Sequence, residues 1–434
     1  MTDRIAKLIA VALLRRIRVG SLLVVEGKTE RLFGSGPPLA TVHVHSPLVW
    51  RALLRGSRGL AESYRDGLWD SPDAVAVIRV AARNVEGLDQ LRRRIAPVWA
   101  PFHRIRARVH PNDRHRSRQA IAAHYDLGNE LFRLMLDPTM SYSCALFERP
   151  GMTLEEASIA KLERVCEKLE LGPEDHLVEI GTGWGGLAVH AATTRGCRVT
   201  TTTISREQRE WALESVREAG VDHLVTVLLE DYRDLTGTYD KLVSIEMIEA
   251  VGWRDFGTFF ARCSDLLAPD GLMLLQAITI DDRAYEVEKL GRSFINTYVF
   301  PDGCLPSLEV ISRCVARRTD MQQLSLDDLT PHYTETVRRW RESFLQNADR
   351  AEELGYDERF RRLWTLYLCY CEAGFAERRI GDVHMVLGKP RHRSAQSSEL
   401  HSVTGDGATA LSDEMAAQAA AAVISAGDEA RSTS

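Results

Sequence analysis

Apolar residues follow two different periods along this chain, and the switch between them outlines its organisation. From about residue 155 onward, short apolar runs alternate with segments whose apolar positions recur at helical spacing, the pattern of a parallel sheet flanked by helices. Strands are expected at His176–Ile180, Arg198–Thr203, Leu224–Leu229, Lys241–Ile245 and Leu272–Ala277, with helices at Leu154–Leu169 and Arg206–Glu218. The predicted fold class is α/β, with a doubly wound, mostly parallel sheet. Residues 1 to about 90 read differently. A basic, apolar helix (Arg4–Arg18) precedes strand-like runs at Ser21–Val25 and Thr41–His45, and Gly67 stops a helical turn before Trp69, so a smaller α+β module is expected there. Three regions follow: an N-terminal lipid-binding-type domain with a basic linker over 1–115, a second domain over 116–390, and a tail over 391–434. The tail is rich in Ser, Ala and Gly with little apolar patterning, and is expected to be disordered.

The 434 residues are 44% hydrophobic, 27% charged and 7% aromatic, an ordinary globular make-up that excludes disorder throughout. A formal charge of −6 gives no global pull toward nucleic acid or anionic lipid, so any such attraction must be local. The uncharged apolar run Leu8–Leu14 is far shorter than the about 20 residues that span a bilayer, and it lacks a small-residue cleavage site. A cytoplasmic protein is expected. The eight cysteines never form C-x-x-C, so they read as thiols, with neither a metal site nor a disulfide framework indicated.

One stretch is locally basic. Between Arg92 and Arg118 nine arginines meet a single acid, Asp113, and Pro97, Pro101 and Pro111 interrupt regular structure. It reads either as a solvated linker or as a landing site for anionic headgroups, where each cation contributes about 1 kcal/mol. No helix-turn-helix, zinc finger or RNA-binding signature accompanies it, so nucleic acid is not expected as a partner.

The cofactor signal lies where the first strand of the sheet runs into Gly181-Thr182-Gly183-Trp184-Gly185-Gly186 and then a helix. Such a turn lets a ligand approach the backbone closely, and the helix start offers free N–H groups. A dinucleotide enzyme would carry an acid at the tip of the second strand to hold the ribose, but that tip reads Thr201-Thr202-Thr203-Ile204-Ser205. Carboxylates appear instead at the third strand's end, in Glu230-Asp231-Tyr232, and Glu179 stands just before the loop, suited to an amino acid zwitterion. This pattern suits S-adenosylmethionine better than NAD.

Five motifs in order, His124-Tyr125-Asp126-Leu127-Gly128-Asn129-Glu130-Leu131-Phe132, Tyr142-Ser143-Cys144-Ala145, the Gly181–Gly186 loop, Glu230-Asp231-Tyr232-Arg233-Asp234 and Phe300-Pro301-Asp302-Gly303-Cys304-Leu305-Pro306-Ser307, resemble the cyclopropane fatty acid synthase family, which includes mycolic acid cyclopropane synthases. The resemblance covers residues from about 40 to 390. It implies a class I, Rossmann-like methyltransferase that carries a methyl group from S-adenosylmethionine to a cis double bond in an acyl chain of a membrane phospholipid, yielding a cyclopropane. It further implies a protein peripherally associated with the membrane, in a family in which homodimers occur. Carried over by position, Tyr142, Ser143, Gly181 and Gly183 would contact the methionine part of the cofactor, Thr203 and Gln208 the ribose, and Asp231 and Tyr232 the adenine. A bicarbonate ion acting as base would sit among Cys144, Glu249, Gln276, Ile278 and Tyr367.

The chemistry fits that inventory. An alkene is a poor nucleophile and must be aligned in a dry site. The resulting carbocation is stabilised by aromatic faces, by roughly 0.5–2 kcal/mol each, and Tyr142, Phe147, Tyr298, Phe300 and Tyr367 are the candidates. Bland readings stand beside these. Cys144 alone would be a small buried apolar group and is no nucleophile, Tyr367 and Tyr370 could be core aromatics, and Trp69, Trp99 and Trp253 read as packing. Glu249, after a buried strand, needs a partner or a site role.

The chain departs from the family at three places: Thr182 replaces a common cysteine, and Ala250 and Gln276 replace histidines. With Glu246 as an extra acid, these changes bear on both bicarbonate use and product. They resemble an actinobacterial subgroup, some of whose members make a 10-methylene branch, the tuberculostearic-type precursor. More distant alternatives are a small-molecule methyltransferase and a non-catalytic lipid-binding protein.

Overall fold

A computed structural model describes residues 2–85, 128–289, 291, 293–301 and 303–393. The arginine-rich stretch Arg92–Arg118, Trp99, the His124–Leu127 part of the first motif, Asp302 and the tail from residue 394 lie outside the described residues, as does the expected boundary at 115/116.

The N-terminal part begins with helix α1 (Asp3–Leu14), followed by strands β1 (Ser21–Glu26), β2 (Thr29–Gly34) and β3 (Ala40–Val44). Helices α2 (Val49–Leu53) and α3 (Gly56–Arg65), the short strand β4 (Trp69–Asp70) and helix α4 (Ala74–Arg83) complete it. The strands form a sheet in the order β2-β1-β3-β4, in which β1 pairs antiparallel with β2 across a two-residue turn and parallel with β3. The first helix stops at Leu14, four residues short of the expected Arg18, because a tertiary contact captures the next segment. Asn84 Oδ1 accepts the amides of Arg18 and Val19, at 2.8 and 3.1 Å.

Beyond residue 128 come α5 (Asn129–Arg133), α6 (Leu154–Lys168), β5 (His176–Ile180), α7 (Gly186–Arg195), β6 (Arg198–Thr203), α8 (Arg206–Glu218), β7 (Val225–Leu229) and β8 (Tyr239–Ile245). They are followed by α9 (Phe256–Leu266), β9 (Leu267–Ile280), α10 (Asp282–Glu288), α11 (Ile295–Tyr298), α12 (Leu308–Arg318), β10 (Gln322–Asp328), α13 (Thr330–Gln346), α14 (Ala348–Glu353), α15 (Glu358–Ala376) and β11 (Ile380–Gly388). Helix α6 starts where its sequence says it should: Thr153 and Glu156 form a reciprocal capping box.

Seven strands make one sheet, in the order β10-β11-β9-β8-β5-β6-β7. From β9 to β7 every pairing is parallel, while β11 inserts antiparallel between β9 and β10. The doubly wound α/β fold expected from the pattern is the one observed, with β5 and β8 adjacent at the centre, where the chain order reverses and ligands bind. Strands β10 and β11 were not expected. The first is a mostly exposed edge strand whose apolar alternation is limited to Leu324 and Leu326, both exposed, and the second interrupts its apolar run with Asp382 and His384, both fully buried.

The N-terminal part shares a hydrophobic cluster with the helices that follow the sheet. Trp50, Trp69, Val77 and Ile78 belong to the same buried group as Trp340, Trp364, Leu366 and Phe375. Polar contacts reinforce that packing. Glu377 accepts from Arg79 and Arg83, at 2.6 and 2.8 Å, Tyr298 donates to Glu62 at 2.7 Å, and Arg362 donates to the Tyr64 carbonyl at 2.7 Å.

Helices α2 and α3 meet so closely at Gly59 that a Cβ there would lie 1.8 Å from the Ala52 carbonyl oxygen. Replacing Gly59 by Ala should therefore destabilise the protein by about 1–3 kcal/mol or more, read as a lower urea midpoint. An unchanged midpoint would contradict this packing.

Candidate active site

Strand β5 delivers Glu179 and the glycine turn to the carboxyl edge of the sheet. Gly181 (φ 104°), Gly183 (φ 53°) and Gly185 (φ 90°) lie in the region that L side chains avoid, and a Cβ on Gly183 would meet nothing within 4 Å, so the backbone there faces open space. Gly186 is required for another reason: a Cβ would come within 2.8 Å of the Thr139 carbonyl. That close approach brings the Thr139–Ser143 segment across the turn, with Tyr142 and Ser143 beside it.

Glu179 is fully buried, accepts a hydrogen bond from the Thr201 hydroxyl at 2.6 Å, and is pushed up to about 8 by desolvation. Thr182 and Thr201 hydroxyls lie 2.7 Å apart. At the tip of β6, Thr203 donates to Gln208 at 2.7 Å, and Ser205 caps helix α8. Asp231, past the end of β7, is gripped bidentately by Arg233 (2.8 and 2.6 Å), and the Tyr232 ring beside it packs edge-on against Phe259. Tyr142, Ser143, Glu179, Gly181, Gly183, Thr203, Gln208, Asp231 and Tyr232 all line one cavity of about 2410 Å³.

From the glycine turn this cavity passes Ile278, Phe300 and Tyr367 and continues into the N-terminal part, between Trp50, Val42 and Ile78, reaching Leu13–Val19 with Arg15, Arg16 and Arg18. Pockets for drug-sized ligands hold about 300–1,000 Å³, so this space accommodates more than one such molecule. Of the five aromatic candidates, Tyr142, Phe300 and Tyr367 line it, and the Tyr142 and Tyr367 hydroxyls are linked at 2.7 Å. Phe147 and Tyr298 do not. Phe147 packs under Arg339 in a separate small cluster, and the Tyr298 hydroxyl is turned to Glu62.

The residues expected around an anion are brought together, but not with the expected groups. The Cys144 thiol points away, toward the Ala145 and Leu329 carbonyls, while its amide donates to Glu246 Oε1 at 2.8 Å. Gln276 lies beneath the cavity wall. Its amide nitrogen donates to Glu246 Oε1 (2.8 Å) and Asp382 Oδ2 (2.9 Å), so its oxygen must accept from His384 Nε2, at 2.9 Å. Burial holds His384 well below the usual histidine range and hence neutral. Tyr333 donates to Glu246 Oε2 at 2.5 Å. Glu249 Oε1 accepts the Ile278 amide at 2.6 Å, and its buried Oε2 has no hydrogen-bond partner among the described residues.

Three carboxyls thus share a dry region, and desolvation raises all of them: Glu246 to about 7, Glu249 to about 8, and Asp382 well above the carboxylate range. Lys161, itself buried, supplies the compensating positive charge and donates to Ser143 at 3.1 Å. Sequence reasoning did not place Lys161, Tyr333, Asp382 or His384 here. Lys161 sits on an ordinary helix face, and Asp382 and His384 sit on a strand that went unread; a charged residue at a core-facing position was the one available signal.

The family model for mycolic acid cyclopropane synthetase matches residues 112–385, more than half of the chain. The chain belongs to the mycolic acid cyclopropane synthetase family. Within that family it is 39% identical over 353 residues to the tuberculostearic acid methyltransferase UfaA1 of Mycobacterium tuberculosis, covering 79% of this chain and 82% of that one. It is 38% identical over 355 residues to the cyclopropane-fatty-acyl-phospholipid synthase of Escherichia coli, covering 80% and 87%. Among solved structures, the cyclopropane synthase MmaA2 of M. tuberculosis superposes with a TM-score of 0.59 at 33% identity, over 63% of this chain and 98% of that one. The mycolic acid cyclopropane synthase CmaA1, solved with S-adenosylhomocysteine and CTAB, gives 0.59 at 32%, over the same shares.

All eight cysteines of this synthetase-family chain are free, and burial raises each thiol above its usual range. A thiol-directed reagent at pH 8 should leave the five buried ones (Cys144, Cys166, Cys197, Cys263, Cys369) unmodified until denaturant is added. Rapid native-state labelling of Cys144, read by peptide mass spectrometry, would contradict the thiol's orientation.

Proposed function

We propose that this enzyme transfers a methyl group from S-adenosylmethionine to the cis double bond of an unsaturated phospholipid acyl chain and closes it to a cyclopropane. The observation that carries the reading is the single cavity that joins the glycine turn to an apolar channel through the N-terminal part. The residues suit the donor. Glu179 and the open side of Gly183 would take its amino acid end, Tyr142 and Ser143 its methionine chain, Thr203 and Gln208 its ribose, and Asp231 with Tyr232 its adenine. The donor supplies an electrophilic methyl group. The chain's part is to hold the alkene beside it, exclude water, and face the developing cation with the Tyr142, Phe300 and Tyr367 rings.

The donor set argues against bicarbonate. At two of the positions expected around it, Cys144 and Gln276, the backbone amide and the side-chain amide nitrogen are already engaged by Glu246. A second reading, a 10-methylene branch in place of the ring, is favoured by the likeness to UfaA1 together with Gln276 and Ala250. It differs by a 1,2-hydride shift that moves the positive charge to the methyl-bearing carbon before the methyl group loses its proton.

Membrane access is assigned to α1. Ile5, Leu8, Ile9 and Leu13 recur at helical spacing and are all exposed, Leu8 at 71%, while the opposite face buries Ala6, Ala10 and Val11. The exposed cations Arg4, Arg15, Arg16 and Arg18 flank that stripe, and the last three also line the cavity beside Leu13. An apolar stripe rimmed by cations at a channel mouth suits a helix lying in an anionic lipid surface. No helix among the described residues is long and apolar enough to cross a membrane.

Purified full-length protein incubated with S-adenosylmethionine and dioleoyl phosphatidylglycerol vesicles should add the mass of one CH2 group to the acyl chains. Catalytic hydrogenation then separates a ring from a methylene. Labelling only of soluble metabolites, or no labelling, would sink the reading.

Replacing both Leu8 and Ile9 by Asp should weaken binding to the same vesicles by about tenfold or more, since two buried apolar side chains contribute several kcal/mol. Undiminished co-sedimentation would overturn the membrane assignment. So would a dimer turned monomeric on gel filtration with vesicle binding intact.

A further inference from the structure

Glu246 stands directly after β8, at φ 48°, a conformation that residues other than glycine seldom adopt. The turn aims its carboxylate into the cavity wall, where three donors from three separate segments converge on it: the Cys144 amide and Gln276 Nε2 on Oε1, and the Tyr333 hydroxyl on Oε2. A backbone amide, a side-chain amide and a phenol around a planar anion make a built oxyanion site, and two of them belong to positions that the family resemblance gives to bicarbonate. We propose that the Glu246 carboxylate is this enzyme's own proton acceptor, occupying the place of the external anion, so that turnover needs no bicarbonate.

The inference deepens the proposed function and rests on it. Once the methyl group has joined the alkene, the acyl chain carries a cation. The methyl group sits on one alkene carbon and the positive charge on the other. A C–H bond of that methyl group breaks, and its electron pair bonds to the cationic carbon to close the ring or, after a 1,2-hydride shift has moved the charge to the methyl-bearing carbon, forms a C=CH2 double bond. The proton passes to a Glu246 oxygen, leaving a neutral carboxylic acid. The competing carboxyls are less suited. Asp382 lies behind Gln276 and does not line the cavity, and Glu249 receives a single hydrogen bond from the Ile278 amide. Three donors favour the ionised form of Glu246, whereas one leaves Glu249 the harder to ionise. An added anion would find those donors taken and would be desolvated beside a carboxylate.

The test compares wild type with Glu246→Gly and Glu246→Gln. Glycine accepts the positive φ and leaves the three donors facing a gap the size of a small oxyanion, while glutamine fills it with a group that cannot take a proton. Two measurements are made on the full chain saturated with S-adenosylhomocysteine or supplied with S-adenosylmethionine: line broadening of 13C-bicarbonate in NMR, and methyl transfer to dioleoyl phosphatidylglycerol vesicles in CO2-free buffer with and without added bicarbonate. Wild type is expected to bind no bicarbonate and to turn over equally well without it. Both variants should keep S-adenosylhomocysteine affinity while losing about 100-fold or more in turnover, the usual contribution of a general base. Only Glu246→Gly should then bind bicarbonate and regain activity with it. Bicarbonate binding to wild type, bicarbonate-dependent wild-type turnover, or a Glu246→Gln variant of near-normal rate would each overturn the proposal. If wild type methylates no vesicle, the reading of the reaction fails, and the NMR arm still decides: binding by Glu246→Gly alone upholds Glu246 as the occupant of the anion site, and binding by wild type refutes it.

Discussion

A channel that must stay dry governs this structure, because a carbocation held beside water would be captured before it could lose its proton. Polar groups around such a channel cannot rely on solvent, and each must find its partner within the protein. The Tyr142 and Tyr367 hydroxyls satisfy one another, Thr182 and Thr201 form a pair that extends to Glu179, and Gln276 is held at both ends by His384 and by the carboxylates of Glu246 and Asp382. What remains exposed to the channel is largely aromatic or aliphatic.

The concentration of acid behind that wall follows from the same constraint. Glu246, Glu249 and Asp382 cannot all ionise in a region closed to water when Lys161 is the buried cation that offsets them. Donors decide which carboxyl carries the charge. Glu246 gathers three and is the readiest to ionise, while Asp382, buried with one oxygen unpaired among the described residues, is the most reluctant. Local geometry thus makes Glu246 easier to ionise than its two chemically similar neighbours, which is how differing environments assign acid and base roles to like groups.

The N-terminal part is tied to the same channel. Its strands and helices bury Trp50, Trp69 and Ile78 in the hydrophobic cluster that includes Trp340 and Trp364, and the end of its first helix lines the same cavity as the glycine turn. Leu13 and the arginines that follow α1 share this cavity with Glu246 and with the Tyr142, Phe300 and Tyr367 rings.

Much of this was written locally in the sequence. Strands β5 to β8, the glycine turn, the capping box of α6 and the positions of Glu179, Asp231 and Tyr232 follow from short-range patterns, since a turn needing positive φ and a helix needing a cap leave their marks within a few residues, whereas Thr203 and Gln208 came from the family resemblance. The motif order sufficed for the family. Tertiary structure alone decided the rest: that α1 ends at Leu14 because Asn84 captures the next amides, that Phe147 and Tyr298 turn away from the channel, and that β11 inserts antiparallel and carries Asp382 and His384 beneath the site. It alone also turned the Cys144 thiol outward and its amide inward, onto Glu246. Those outcomes depend on which groups from distant segments meet in a space without water, and no local pattern of residues encodes a meeting of that kind.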